Sequence, residues 1–205
     1  MRGRFNTSKG EGLALRNYTK LPKALYLAIK RKYLKIYPSL PWIPFSASQR
    51  LNEVIRPDWN ILEIGAGMST IWLAQRCNTL VSFEADLDWF NNLKNQIGQK
   101  AINNIDLRYE WKAEKMSNFD EFPDNYFNLI YIDGGPRELC CVNAISKIKQ
   151  GGYIYLDNSD NTELSGNGKL LLEQAVNNDS HLIETHIDFV PGNFMINEGT
   201  LVKIV

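Results

Sequence analysis

The sequence predicts an α/β domain built on a mostly parallel sheet with helices on both faces. Three observations predict it. Apolar runs of strand length alternate with segments of helical periodicity from residue 60 onward, a pattern that favours parallel strands joined by crossover helices. A glycine-rich turn, Gly65-Ala66-Gly67, separates the first such run from the helix after it. An acid, Glu84, closes the second run, 21 residues after Glu63. The 205 residues suit one domain with a short appendage, at roughly 100–200 residues per domain. Hydrophobic residues at 44% and charged residues at 22% exclude a disordered, collagen-like or coiled-coil chain.

Taken in order, residues 1–20 read as a disordered basic arm that folding can spare, since 1–12 is polar and rich in glycine. Residues 21–45 read as an N-terminal helix and a Pro-rich connection. The helix spans 21–37 with Pro22 in its first turn; Leu21, Leu25, Ala28 and Leu34 share its buried face while the lysines stay wet. Pro38, Pro41 and Pro44 make the connection extended. The main domain, 46–205, opens with a helix from Ser46 to about Arg56, ended by Pro57-Asp58. Strands follow at 60–65, 79–84, 105–111, 127–132 and 153–156, with helices at 69–77, 87–99, 137–148 and 168–176. Two last strands, 181–189 and 200–205, are joined by a turn through Pro191-Gly192. His186 falls on the polar face of the first of these and is expected to be exposed.

The net charge of zero hides a division. Residues 1–37 hold ten Lys/Arg and one acid, a charge of +9, and the rest of the chain carries −9. That arm suits RNA or an anionic membrane surface. Three cysteines without CxxC spacing are neither a disulfide framework nor a zinc site. With no apolar stretch behind Met1-Arg2-Gly3-Arg4, a cytoplasmic location is expected.

A glycine turn between strand and helix lets a ligand approach the backbone, and helix N-terminal amides favour a negative group. Glu84 stands where a carboxylate meets a ribose diol in nucleotide-binding folds. A dinucleotide site would need a third glycine where Thr70 stands, and Glu63, two residues before Gly65, suits a ligand with a positive amine.

These residues resemble the motifs of class I S-adenosylmethionine-dependent methyltransferases, over about residues 42–205. Glu63, Gly65, Gly67 and Ser69 are similar to the first motif, Glu84 to the second, Asp133 in YIDGG to the third, and Ile148-Lys149-Gln150-Gly151-Gly152 to the fourth. The resemblance implies a three-layer Rossmann-like fold with a seven-stranded sheet and an antiparallel last strand. It implies that Gly65, Ala66, Gly67 and Ser69 pass under the methionine end of S-adenosylmethionine, with Glu63 near its amine. Glu84 would hold the ribose, and Ala113 and Glu114 would contact adenine. Asp133 would be the catalytic residue.

Asp133, Asp157 and Asn158 end the fourth and fifth strands. These oxygen ligands at one mouth could hold Mg²⁺, and their order resembles the catechol O-methyltransferase type. The chain departs from that type at Pro136, where the type has lysine. Asp133-Gly134-Gly135-Pro136 also replaces the Asn/Asp-Pro-Pro-Tyr/Phe of nucleic-acid base methyltransferases, so no DNA partner is expected. The expected function is methyl transfer to a small molecule or glycan, at oxygen. The alternatives are an RNA or protein methyltransferase and a non-catalytic cofactor-binding module.

Overall fold

The computed structural model describes residues 4–37 and 40–205. Expectations for residues 1–3, and for Pro38 and Ser39 in the connection, lie outside the described residues. The strands are β1 (Asn60–Ile64), β2 (Thr79–Glu84), β3 (Ile105–Tyr109), β4 (Phe127–Ile132), β5 (Ile148–Asp157), β6 (Ile183–Phe189) and β7 (Ile196–Lys203). They form a seven-stranded sheet in the order β3-β2-β1-β4-β5-β7-β6. β7 alone runs antiparallel to both neighbours, so the expected antiparallel last strand is present, inserted between β5 and β6.

Period-two alternation along the central strands builds both halves of the core. Leu62, Ile64, Ile130, Ile132, Ile154 and Leu156 face the helices α6 (Arg137–Lys147) and α8 (Gly168–Ala175), meeting Cys140, Cys141, Ala144 and Leu172. Ile61, Leu129, Tyr131 and Tyr155 face the other way, onto Leu51 of α2 (Phe45–Val54) and onto Trp72 and Leu73 of α3 (Met68–Ala74). Each fully buried Leu or Ile contributes about 1.5–3 kcal/mol. The three cysteines are free and buried within these layers. α4 (Leu87–Gln99) starts where Asp86 accepts the Trp89 amide at 2.8 Å, an N-cap. The short α5 (Ala113–Met116) and α7 (Thr162–Ser165) fill loops after β3 and β5.

Most boundaries shift by a few residues from the sequence reading, and three differences have a clear cause. β5 begins at Ile148, because a register irregularity against β4 lets the glycine turn ride within the strand, with Gly151 at φ 79°. α1 (Leu21–Leu34) ends at Leu34, because Lys35 turns left-handed (φ 55°) and its amide closes on the Lys30 carbonyl. The side of α1 that meets the protein carries Ala24 and Leu27, not Leu25 and Leu34, which are exposed.

The expectation of a disordered arm over 1–20 is corrected for residues 4–20. The Arg4 carbonyl accepts the Ile196 amide, Phe5 packs edge-on against Phe189 and Phe194, and the Ser8 amide bonds Asp160. Residues Leu15–Lys20 form a 3₁₀ turn from which Asn17 donates to the Ile187 carbonyl (3.1 Å) and Lys20 pairs with Asp188. Asp188 is fully buried and also accepts the amides of Ser46 and Phe189. The polar composition misled because the anchors are single residues spaced along otherwise polar chain.

Candidate active site

The sheet order reverses between β1 and β4, and a crevice opens outside the carboxyl ends of such strands. A cleft of about 260 Å³ lies there, walled by Trp42, the 65–69 turn, Glu84, Ala85, Trp89, Met116 and the 133–135 loop. Two glycines let the loops after β1 and β4 touch backbone to backbone. A Cβ on Gly65 (φ 92°) would stand 2.7 Å from the Gly134 nitrogen, and one on Gly134 would stand 2.7 Å from the Gly65 Cα. Any side chain at either position would push the strand ends apart.

The turn supplies shape rather than donors. The Gly65 and Ala66 amides both bond the Phe83 carbonyl (2.9 Å), and the Gly67 amide bonds Thr70 Oγ1 (2.9 Å). The amides of the glycine turn itself are therefore already engaged. Glu63 sits behind the turn, fully buried, and accepts three hydroxyls: Ser69 at 2.5 Å, Thr70 at 2.6 Å and Ser82 at 2.5 Å. Burial pushes its carboxyl up to about 7, against the pull of those donors. Glu63 thus ties the start of α3 to β1 and β2 and holds Ser69 in the cleft wall, instead of facing the cleft as expected.

Glu84 does reach the wall, at the end of β2. Its Oε1 accepts the amides of Ala85 (2.8 Å) and Asp86 (2.7 Å), which fix the carboxylate, while burial raises its pKa. Ala113 and Glu114 do not reach the cleft. Both are exposed on α5, and Glu114 lines a separate depression with Arg108 and Glu121. Met116, one turn on, lines the cleft instead, because it is the α5 residue that turns inward.

The sequence reading missed an aromatic wall. Trp42 and Trp89 stand 6.3 Å apart, with Tyr37 at 6.2 and 6.4 Å from them. Trp89 donates to the Ala66 carbonyl (3.0 Å), so the wall is pinned to the glycine turn. Arg31 of α1 stacks on the Trp42 ring at 4.0 Å. The available signal was Trp89, three residues past the N-cap Asp86, which lies two residues after Glu84.

Asp133 ends β4 at the cleft floor and Asp157 ends β5 beside it. Arg137, buried in the first turn of α6, reaches across both. It donates to the Asp133 carbonyl (2.6 Å) and Oδ1 (3.2 Å), the Asp157 carbonyl (3.2 Å) and Asn158 Oδ1 (3.0 Å). The Asp157 carboxylate accepts Tyr155 OH and Asn197 Nδ2 at 2.9 Å each and also meets the Asp133 carboxyl side chain to side chain. Burial, then the neighbouring Asp157 charge, pushes the Asp133 carboxyl up; Arg137 opposes this, and Asp157 itself is raised to about 6.

The expected Mg²⁺ set does not fit this arrangement. A guanidinium already stands among Asp133, Asp157 and Asn158, donating to one carboxylate oxygen of Asp133 and to Asn158 Oδ1, while Tyr155 and Asn197 hold the Asp157 carboxylate. Among the described residues, no group of three His, Cys, Asp or Glu could hold a metal ion. His186, expected in solvent, is mostly covered, with Nε2 lacking a hydrogen-bond partner and Glu184 Oε2 3.7 Å away. Burial lowers its pKa.

No protein-family model and no curated protein sequence matches the chain. Solved structures do. A proposed O-methyltransferase from Klebsiella pneumoniae is 21% identical, covering 90% of this chain and 89% of its own, with a TM-score of 0.57. The precorrin-6y C5,15-methyltransferase from Geobacter metallireducens is 15% identical, covering 82% and 100%, with a TM-score of 0.59. A proposed methyltransferase from Streptococcus mutans, solved in complex with SAH, is 13% identical, covering 78% and 98%, with a TM-score of 0.53. This chain has the class I methyltransferase fold. Its cleft lies at the sheet's switch point, with Glu84 ending β2.

Proposed function

We propose that the protein is an S-adenosylmethionine-dependent methyltransferase acting on a small molecule or glycan, at oxygen. The observation that carries the reading is the cleft at the switch point, with Glu84 fixed in its wall beside a glycine turn that no side chain can fill. The residues fit the cofactor by shape: the 65–69 turn would border its methionine end, Glu84 would accept the ribose hydroxyls, and Met116 and Trp89 would flank the base. When bound, the cofactor supplies a methyl group on a sulfonium, with a neutral leaving group. The chain has to place the acceptor and remove its proton. Placement alone can supply several kcal/mol. Asp133 is the carboxyl on the floor that meets an incoming acceptor, and its raised pKa suits it to take a proton. Arg137 acts as a positioning residue, holding Asp133 by carbonyl and carboxylate together.

Calorimetry with S-adenosylhomocysteine tests the reading. The wild-type chain should bind, and Glu84→Ala should weaken binding by about 1–3 kcal/mol, the usual cost of a charge-assisted hydrogen bond. No binding by the wild type would overturn the proposal, and equal binding by the variant would remove Glu84 from the site. A screen of sugars, nucleotide sugars and phenols with methyl-labelled cofactor identifies the acceptor. Binding without transfer to any acceptor would favour the non-catalytic alternative.

A further inference from the structure

α1 is amphipathic twice over. Ala24 and Leu27 dock it onto the protein, and Arg31 on that side stacks on Trp42. At about 100° per residue, Pro22, Leu25, Tyr26, Ile29 and Tyr33 fall within one arc of roughly 100° on the opposite side. Four of them expose 41% (Leu25), 56% (Tyr26), 45% (Ile29) and 69% (Tyr33) of their surface. Lys32 borders one edge of this arc, and Lys23 and Lys30 border the other. The ammonium of Lys30 lies 4.9 Å from the Tyr26 ring and that of Lys32 lies 5.4 Å from the Tyr33 ring. The helix contains no acid, and the only acid in residues 1–37 is Glu11.

We infer that this outward face of α1 binds an anionic lipid bilayer, lying in the headgroup region with its apolar stripe inserted. An apolar centre with cations at both margins is the pattern of interfacial helices, and tyrosines sit well at the level of the headgroups. The +9 charge of residues 1–37, against −9 elsewhere, gives the attraction a direction: it turns this face, and not the acidic body, toward a negative surface. RNA would be met better by cations across the centre of the face, where Leu25 and Ile29 stand. A stable protein interface uses about 20–30 residues a side, and this stripe has far fewer. No helix among the described residues is long and apolar enough to cross a membrane, so the contact proposed is with the surface.

Co-sedimentation of the full chain with vesicles of phosphatidylcholine, with and without phosphatidylglycerol, tests this. Binding is expected to the anionic vesicles and to fall as salt rises. Leu25→Glu with Ile29→Glu should abolish it. Lys30→Gln should weaken it by about fivefold, the worth of one lysine near an anionic surface. The exposed variants should keep the wild-type melting temperature and S-adenosylhomocysteine affinity, which separates lost docking from lost fold. No sedimentation with anionic vesicles overturns the proposal. So does sedimentation that survives the double variant, or a chain that ignores vesicles and binds RNA through the same lysines.

Discussion

Asp133 and Asp157 end neighbouring strands, and among the described residues Arg137 is the cation that bonds both. Asp133→Asn keeps the shape and removes the proton acceptor. S-adenosylhomocysteine affinity should survive, and methyl transfer to the true acceptor should fall by at least ~10²-fold, the lower end for a positioned base. Wild-type turnover would leave proximity as the whole mechanism. Arg137→Ala leaves two carboxyls without their partner and should destabilise the fold by about 3 kcal/mol, measured by denaturant unfolding. Because the guanidinium already fills the space a cation would need, chelator should leave wild-type turnover unchanged; activity lost to chelator and restored by Mg²⁺ would contradict that. At this scale the sequence was legible wherever a motif residue meets the cleft directly, as at Gly65, Glu84 and Asp133. It was not legible where a residue's partner lies far along the chain. Nothing local to Glu63 says that Ser82 closes its third hydrogen bond, and nothing local to Asp157 says that Asn197 bonds its carboxylate.

Among the elements, the strands and the main helices could be read from periodicity, because each buries a face whose spacing is printed in the chain. The arm could not, since its hold on the sheet rests on scattered contacts: Phe5 against Phe189, Asn17 on the Ile187 carbonyl, Lys20 on Asp188. α1 was misassigned in phase for a related reason. Both of its faces carry apolar residues, so periodicity alone could not say which one docks. Asp188 makes the arm's contribution measurable. It is fully buried, and Lys20 is the ammonium paired with it. Lys20→Met should cost about 3 kcal/mol, near the low end for breaking a buried pair because Lys20 keeps some solvent. That corresponds to a fall of about 6–12 °C in Tm for a chain of this size. Starting the chain at residue 21 should cost at least as much. An unchanged melting curve would return the arm to the status of a loose appendage.

Across the whole molecule, buried acids set the response to pH. Glu63 is raised from 4.5 to about 7 and Asp157 from 3.8 to about 6, with Asp133 and Glu84 raised as well. A carboxyl whose pKa is higher folded than unfolded binds its proton more tightly in the native state. The stability it confers is complete below the unfolded value and is lost as pH rises through the folded one. These four groups therefore favour the native state near pH 5 and weaken it toward pH 7 and above. His186 works the other way: its lowered pKa contributes stability that is present above its unfolded value and is lost as pH falls through the folded one. One histidine opposes four carboxyls, so Tm should be higher at about pH 5.5 than at about pH 8. Glu63→Gln isolates one share. Its amide is neutral at every pH and can still meet Ser69, Thr70 and Ser82, whose hydroxyls rotate to accept or donate. The variant should melt above the wild type at about pH 8, and its Tm should depend less on pH between the two values. A wild-type Tm that rises with pH over that window would mean the carboxyls are ionised in the fold at little cost. An unchanged slope in Glu63→Gln would move the effect to the Asp133 and Asp157 pair.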